Sequence, residues 1–239
     1  MQVSLSQVNQ LLGQKGLRIA NNKWRADYIS RFFSVDTLID IGVADGTPEL
    51  YDPRISQRFI LIDPQPVPQK VVDSIESKGC YVHYFECAVG NTEGHLTLQV
   101  HAQTSQSGLL PRTEAFAEIN SPVTAHRDVA VRTLDSIVET LPMDLGRIGL
   151  KIDTEGYELS VLEGAKDTLT RADFVILETS IKRRFANGYK ASDIISFMSA
   201  HGFEMFDILN IENAPPRFLD LVFVPWRRPM FDSPTSAWR

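Results

Sequence analysis

The sequence predicts an α/β protein: a doubly wound, mostly parallel sheet of seven strands with helices on both faces. Short apolar runs alternate with segments of helical period, the pattern of a parallel sheet covered on both sides. Four of those runs end in an acid, Asp40, Asp63, Asp153 and Glu178, and in an open α/β sheet ligands bind outside the carboxyl ends of the strands. At 239 residues, 43% of them hydrophobic, the chain can fill one sizeable core.

Two helical patterns come first. "LSQVNQLL" sets Leu5, Val8 and Leu12 on one face, and "KWRADYISRFF" does the same for Trp24, Tyr28, Ile29 and Phe32. Together they predict an N-terminal helical cap over residues 1–36, ahead of a main domain over 37–226. In that domain the first strand is Leu38–Ile41, followed by a short helix near Pro48–Asp52, where proline suits the first turn. The second strand, Arg58–Asp63, leads to a helix over Gln69–Lys78, and the third is Tyr81–Glu86. A turn at Asn91–Gly94 and the alternation of Leu96–Val100 then read as an antiparallel strand.

From His101 to Val129 the chain is polar and reads as irregular, with one short helix around Thr113–Ile119. A loop of that length in a compact domain is functional or mobile. "VRTLDSIVETL" reads as a strand end entering a helix, and Ile148–Asp153 is the fourth core strand. A helix over Tyr157–Leu169 leads to the fifth, Phe174–Thr179. The helix Ala191–His201 is stopped by Gly202, and Phe203–Leu209 with Leu219–Pro225 make a closing antiparallel hairpin. The tail, residues 227–239, has no period and is either loose or docked through Trp238.

No window approaches the roughly 20 apolar residues of a membrane helix, and the first thirty residues lack a basic-then-apolar leader, so the expected location is cytoplasmic. A net charge of −6 argues against a nucleic-acid-binding face, and the basic run Lys182–Arg184 reads as a solvated helix flank. Cys80 and Cys87 bracket an extended segment, which sets them about 23 Å apart at ~3.3 Å per residue, so they read as reduced thiols. The five histidines lack zinc-ligand spacing, and His126 reads as a surface residue of the long loop.

The segment "LIDIGVADG" carries the first site. Gly42 and Gly46 allow a sharp turn and a close backbone approach to a ligand. A dinucleotide turn needs GxGxxG, whereas here position 44 is alanine and the pattern is DxGxxxG from Asp40. An acid at the first strand end suits a cationic ligand. S-adenosylmethionine carries an ammonium and a sulfonium, and a ribose whose two hydroxyls Asp63 can hold. Asp40, Gly42, Asp45, Gly46 and Asp63 are therefore candidate cofactor-binding residues. The competing readings are a nicotinamide-dependent oxidoreductase, disfavoured by Ala44, and a noncatalytic binding protein that keeps the fold.

The run "LKIDTEGYELSVLEGA", Leu150–Ala165, resembles the signature of the FkbM-type methyltransferase family, approximately KxDxEGxExxVLxGA. "DIGVADG", "CAVGNTEGHLTL", "VRTLDSIV" and "VILETS" follow the family's order, so the resemblance covers Leu38–Gly202. It implies a class I methyltransferase-like fold, S-adenosylmethionine as cofactor, and methylation of a hydroxyl on a sugar, glycolipid or natural-product acceptor. It also implies adenine contacts for Glu86, Cys87 and Ala88. Two positions depart from it: Asp45 stands where asparagine is common and Asp63 where glutamate is, both keeping hydrogen-bonding capacity. Residues 105–129 align with no family segment and are expected to cover a small or sugar-like acceptor.

Methyl transfer is an in-line displacement that needs positioning and a base for the hydroxyl proton. Asp153, Glu155 and Glu178 are the candidate bases, Asp153 foremost because its strand adjoins the cofactor turn. Glu155 serves equally well as a helix cap, and Lys151 is expected to pair with and orient a neighbouring carboxylate. Three carboxylates on one rim repel unless a proton, a cation or a metal relieves them. A magnesium ion held by Asp153, Glu155 and Glu178 is one way to do so, although no residues mark a dedicated metal site.

Overall fold

The computed structural model describes residues 5–14, 23–117, 121–210 and 216–232. In chain order the strands are β1 (Thr37–Ile41), β2 (Arg58–Asp63), β3 (Tyr81–Glu86), β4 (Ala88–Val89), β5 (Gly94–His101), β6 (Val123–Arg132), β7 (Ile148–Ile152), β8 (Ala172–Ser180), β9 (Phe203–Ile208) and β10 (Phe218–Pro225). The helices are α1 (Leu5–Gly13), α2 (Ala26–Ile29), α3 (Gln69–Glu76), α4 (Glu114–Ala117), α5 (Leu134–Glu139), α6 (Glu158–Glu163), α7 (Lys166–Leu169) and α8 (Ala191–Ala200).

Seven strands form one sheet in the order β3-β2-β1-β7-β8-β10-β9, and only β10 runs against the rest. This is the expected doubly wound, mostly parallel sheet. Chain order reverses between β1 and β7, so their carboxyl ends define the switch-point crevice. Alternate residues of each central strand go to opposite faces. Ile39, Ile41, Leu150 and Ile152 pack with Ile137, Val161, Leu162 and Ile194 of α5, α6 and α8. Leu38, Leu61 and Phe174 pack on the other face with Val71 and Ile75 of α3 and with Ile29 and Phe33. Trp24 Nε1 donates to Asp220 at 2.6 Å and Tyr28 Oη to Asp207 at 2.6 Å, which ties the segment ahead of β1 to the hairpin edge of the sheet.

Four local expectations are corrected. Residues Pro48–Asp52 form turns rather than a helix, with Leu50 and Tyr51 fully buried as anchors. The expected helix over Tyr157–Leu169 is two, with the break at Gly164–Ala165, where a β-carbon on Gly164 would lie 2.1 Å from the Gly90 carbonyl oxygen. The stretch read as irregular up to Val129 contains most of the ten-residue β6, which pairs with β5 and β4 in a separate three-stranded sheet. Both faces of its first six residues are exposed, so no apolar alternation marks it until Val129 and Val131. For the same reason His126 is an exposed strand residue and not a loop residue. The side chain of Leu5, residues 118–119 of the expected helix Thr113–Ile119, and Trp238 lie outside what is described. Among the described residues no helix is long and apolar enough to cross a membrane.

The turn after β1 depends on a backbone contact that only glycine permits. Gly42 has φ +81°, and a β-carbon there would lie 1.8 Å from the Asp153 carbonyl oxygen. Gly79 has φ +75° with nothing near its would-be β-carbon. Gly79→Ala should therefore lose only the left-handed strain of about 1–2 kcal/mol. Gly42→Ala should lose on the order of 4 kcal/mol, since the β1 and β7 ends must separate. Urea unfolding of both variants measures the difference, and equal losses would refute the close approach.

Candidate active site

A cavity of ≈ 210 Å³ opens at the switch point, walled by the turn Gly42–Gly46, by Asp63, by Cys87 and Ala88 after β3, and by Asp153 and Glu155 after β7. Asp63 is 4% exposed. Its Oδ2 accepts from the Ala44 amide at 2.9 Å and its Oδ1 from the Gln65 amide at 2.7 Å. Each oxygen keeps a further accepting direction, which suits the two hydroxyls of a ribose. Burial raises the Asp63 pKa, and those two amide bonds oppose the rise. Ala44, the residue that breaks the dinucleotide pattern, adopts φ +46° to bring its amide to Asp63.

Two of the expected cofactor contacts lie off the cavity lining. Asp40 does not line this cavity: it is completely buried, accepts from Tyr51 Oη at 2.6 Å and pairs with Lys151 at 3.2 Å. Its strand position points it at the apolar face beside Leu38, so it acts on the site through Lys151. Glu86 is also off the cavity and is exposed, because the chain turns inward only at the next two residues. Cys87 and Ala88 are buried in the cavity wall, and burial raises the Cys87 thiol pKa. Both cysteines are free. Asp45 lies on the rim and pairs with Lys70 of α3 at 2.9 Å.

Lys151 forms the ion pair expected of a lysine in a covered strand. Its Nζ lies 3.2 Å from Asp40, 3.5 Å from Asp153 and 3.0 Å from the Gly42 carbonyl, which accepts its hydrogen bond. Burial disfavours the ammonium, yet Asp40 and Asp153 outweigh it and raise the Lys151 pKa above its ordinary value. Lys151 is thus a permanent cation and not a base.

Glu155 and Glu178 are relieved by arginines. Glu155 Oε2 accepts from Arg184 at 2.7 Å and from Arg112 at 3.0 Å, and Arg184 also bonds Glu178. The guanidiniums of Arg112 and Arg184 lie 4.5 Å and 5.0 Å from the Phe185 ring centroid. Burial raises the pKa of both glutamates; the two guanidiniums oppose this at Glu155, and at Glu178 the charges of Asp153 and Glu155 add to it. The expectation for Lys182–Arg184 as a solvated flank therefore holds for the exposed Lys182 and Arg183 but fails for the buried Arg184. Among the described residues no three His, Cys, Asp or Glu side chains converge as a metal site does. The cation that relieves the rim is supplied by the protein.

Sequence reasoning missed three residues here. Arg184 and Arg112 gave no signal because each stands in an ordinary polar stretch. Glu158 was legible in the repeated motif acid and performs the capping considered for Glu155. Its Oε1 accepts from the amides of Thr154 and Gly156, at 2.8 and 3.1 Å. Glu155 is thereby held at φ +54° with its carboxylate turned to the arginines. A second cavity of ≈ 230 Å³ opens on the other side of the same rim, and Gly46, Thr47, Lys151 and Asp153 line both.

The profile of the methyltransferase FkbM domain family matches residues 40–205. The chain belongs to that family, and it is a methyltransferase that uses S-adenosylmethionine. Among solved structures it is similar to magnesium protoporphyrin IX methyltransferase from Synechocystis with bound S-adenosylmethionine, at 11% identity over 94% of this chain and 86% of that one, TM-score 0.42. Precorrin-6y C5,15-methyltransferase from Geobacter metallireducens is similar at 12% identity over 86% and 89% of the two chains, TM-score 0.43. The m1A22 tRNA methyltransferase of B. subtilis is similar at 12% over 87% and 67%, TM-score 0.42. No curated protein sequence matches the chain.

The arginine network has a measurable asymmetry. Arg184→Met leaves Glu155 with one guanidinium and Glu178 with none, and should destabilise the protein by about 3–5 kcal/mol. Arg112→Met leaves both glutamates paired to Arg184 and should cost less than half as much. Thermal unfolding of the two variants at neutral pH tests the order; the reverse order would show that Arg112 carries the network.

Proposed function

We propose that the chain is an O-methyltransferase, with S-adenosylmethionine in the switch-point cavity and a hydroxyl acceptor in the cavity beside it. The observation that carries the reading is the shared wall: Lys151 and Asp153 face both spaces, so a methyl group held in one meets an oxygen held in the other at these residues. The bound cofactor supplies an electrophilic methyl on a sulfonium. The chain fits that cofactor through the bare backbone at Gly42 and Gly46 and through the two accepting oxygens of Asp63.

Asp153 is the general base in this reading. It sits on the shared wall, its carboxylate is 3.5 Å from Lys151, and it has room to accept a hydroxyl proton as the oxygen attacks. Lys151 holds Asp153 and the Gly42 carbonyl in place. Glu155 and Glu178, already bonded to arginines, shape the wall. Thr104, Ser105, Ser107, Gly108 and Leu109 line the cofactor cavity, so the segment after β5 covers cofactor at least as much as acceptor. The acceptor is a small or sugar-like molecule, and the protein acts in the cytoplasm. Family membership decides against the nicotinamide-dependent alternative.

Calorimetric titration with S-adenosylmethionine should saturate, while NAD should give no heat of binding. Asp63→Ala should weaken the former at least tenfold, about 1.4 kcal/mol. Asp153→Asn should keep that affinity and lower turnover of a hydroxyl acceptor by about 10² to 10⁴. Undiminished turnover in Asp153→Asn would remove the base assignment, and cofactor binding without turnover on any acceptor would favour a binding protein.

A further inference from the structure

The second cavity has a chemistry of its own. Its floor is the sheet face at the carboxyl end of β8, where Glu178 lies directly across from Asp220 of the antiparallel β10. Phe218 and Trp24 add aromatic walls, and Glu49 and Asp153 further carboxylates. The Trp24 indole is fixed in orientation by its bond to Asp220. Among the described lining residues Lys151 is the single cation, and it is committed to Asp40, Asp153 and the Gly42 carbonyl.

Resting on the proposed function above, we propose that this cavity is the acceptor site and that it takes a hydroxyl-rich ring without phosphate or carboxylate, neutral or bearing an ammonium. Carboxylate oxygens accept hydrogen bonds, so the ligand must bring the donors. Hydroxyl and ammonium groups do; an anion brings none and meets like charge at close range. The negative π faces of Trp24 and Phe218 suit the weakly positive C–H face of a saturated ring. Asp153, at the border with the cofactor cavity, selects which hydroxyl is methylated: the one that reaches it when the ring lies against Trp24.

The test uses the full chain labelled with 5-fluorotryptophan and saturated with S-adenosylhomocysteine, the Trp24 fluorine signal being assigned from Trp24→Phe. The probes are the methyl glycosides of glucose, galactose, fucose and rhamnose, the amino sugars of glucose and galactose, and the 6-phosphates of the two hexoses. Neutral or amino sugars should shift the Trp24 signal saturably, and the phosphates should not at the same concentration. Asp220→Asn should weaken the effective sugars at least tenfold with unchanged S-adenosylmethionine affinity. Phosphates acting as strongly as neutral sugars, or a Trp24 signal that no probe moves, would overturn the proposal. Failure to bind S-adenosylmethionine would instead defeat the functional reading while leaving the sugar titration interpretable.

Discussion

The buried ion pair between Asp40 and Lys151 is the constraint on which the site depends. These residues are register partners on β1 and β7, at the point where strand order reverses, and both face an otherwise apolar layer. Taking two charges out of water is expensive, and a well-packed apolar pair is often at least as stable. Stability does not account for the pair; position does. Asp40, held by Tyr51, fixes the ammonium of Lys151, which in turn holds the Gly42 carbonyl and the Asp153 carboxylate. One cation thus sets the distance between the cofactor turn and the candidate base.

The second fixed point is the arginine network. Arg112 comes from the segment between β5 and β6 and Arg184 from the loop after β8, yet both close on Glu155. The long segment between β5 and β6 is thereby bonded to the rim beside the cavity it covers. Because Glu158 takes the amides of the turn, Glu155 is released for this task, and the two acids of the EGYE run do different work. The bridge between Arg112 and Phe185 reinforces the same junction in the backbone.

The central sheet was legible because its strands are apolar on both faces and end in acids, a signal that local sequence carries completely. The cofactor turn was legible for a similar reason, since DxGxxxG encodes a backbone shape. What escaped was decided by partners distant in sequence. Asp40 and Asp63 look alike as strand-ending acids and share one face of the sheet, but Asp40 is level with Leu61 and buried against Lys151, whereas Asp63 lies two residues further toward the carboxyl ends and reaches the cavity. Arg184 reads as one of three surface basics until the positions of Glu178 and Glu155 are known. The first part of β6 was invisible because, paired there with β5 alone and exposed on both faces, it needs no apolar alternation.

The shared wall also limits what the rim acids can do. Among Asp153, Glu155 and Glu178, the last two are each hydrogen-bonded to a buried guanidinium that can shed no proton at any working pH. Each of those carboxylates commits an oxygen to Arg184. Among the described residues Asp153 has the 3.5 Å approach of Lys151, which keeps Asp40 as its closer partner. On the proposed reading, these contacts divide three similar acids into two that build the wall and one that takes the acceptor proton.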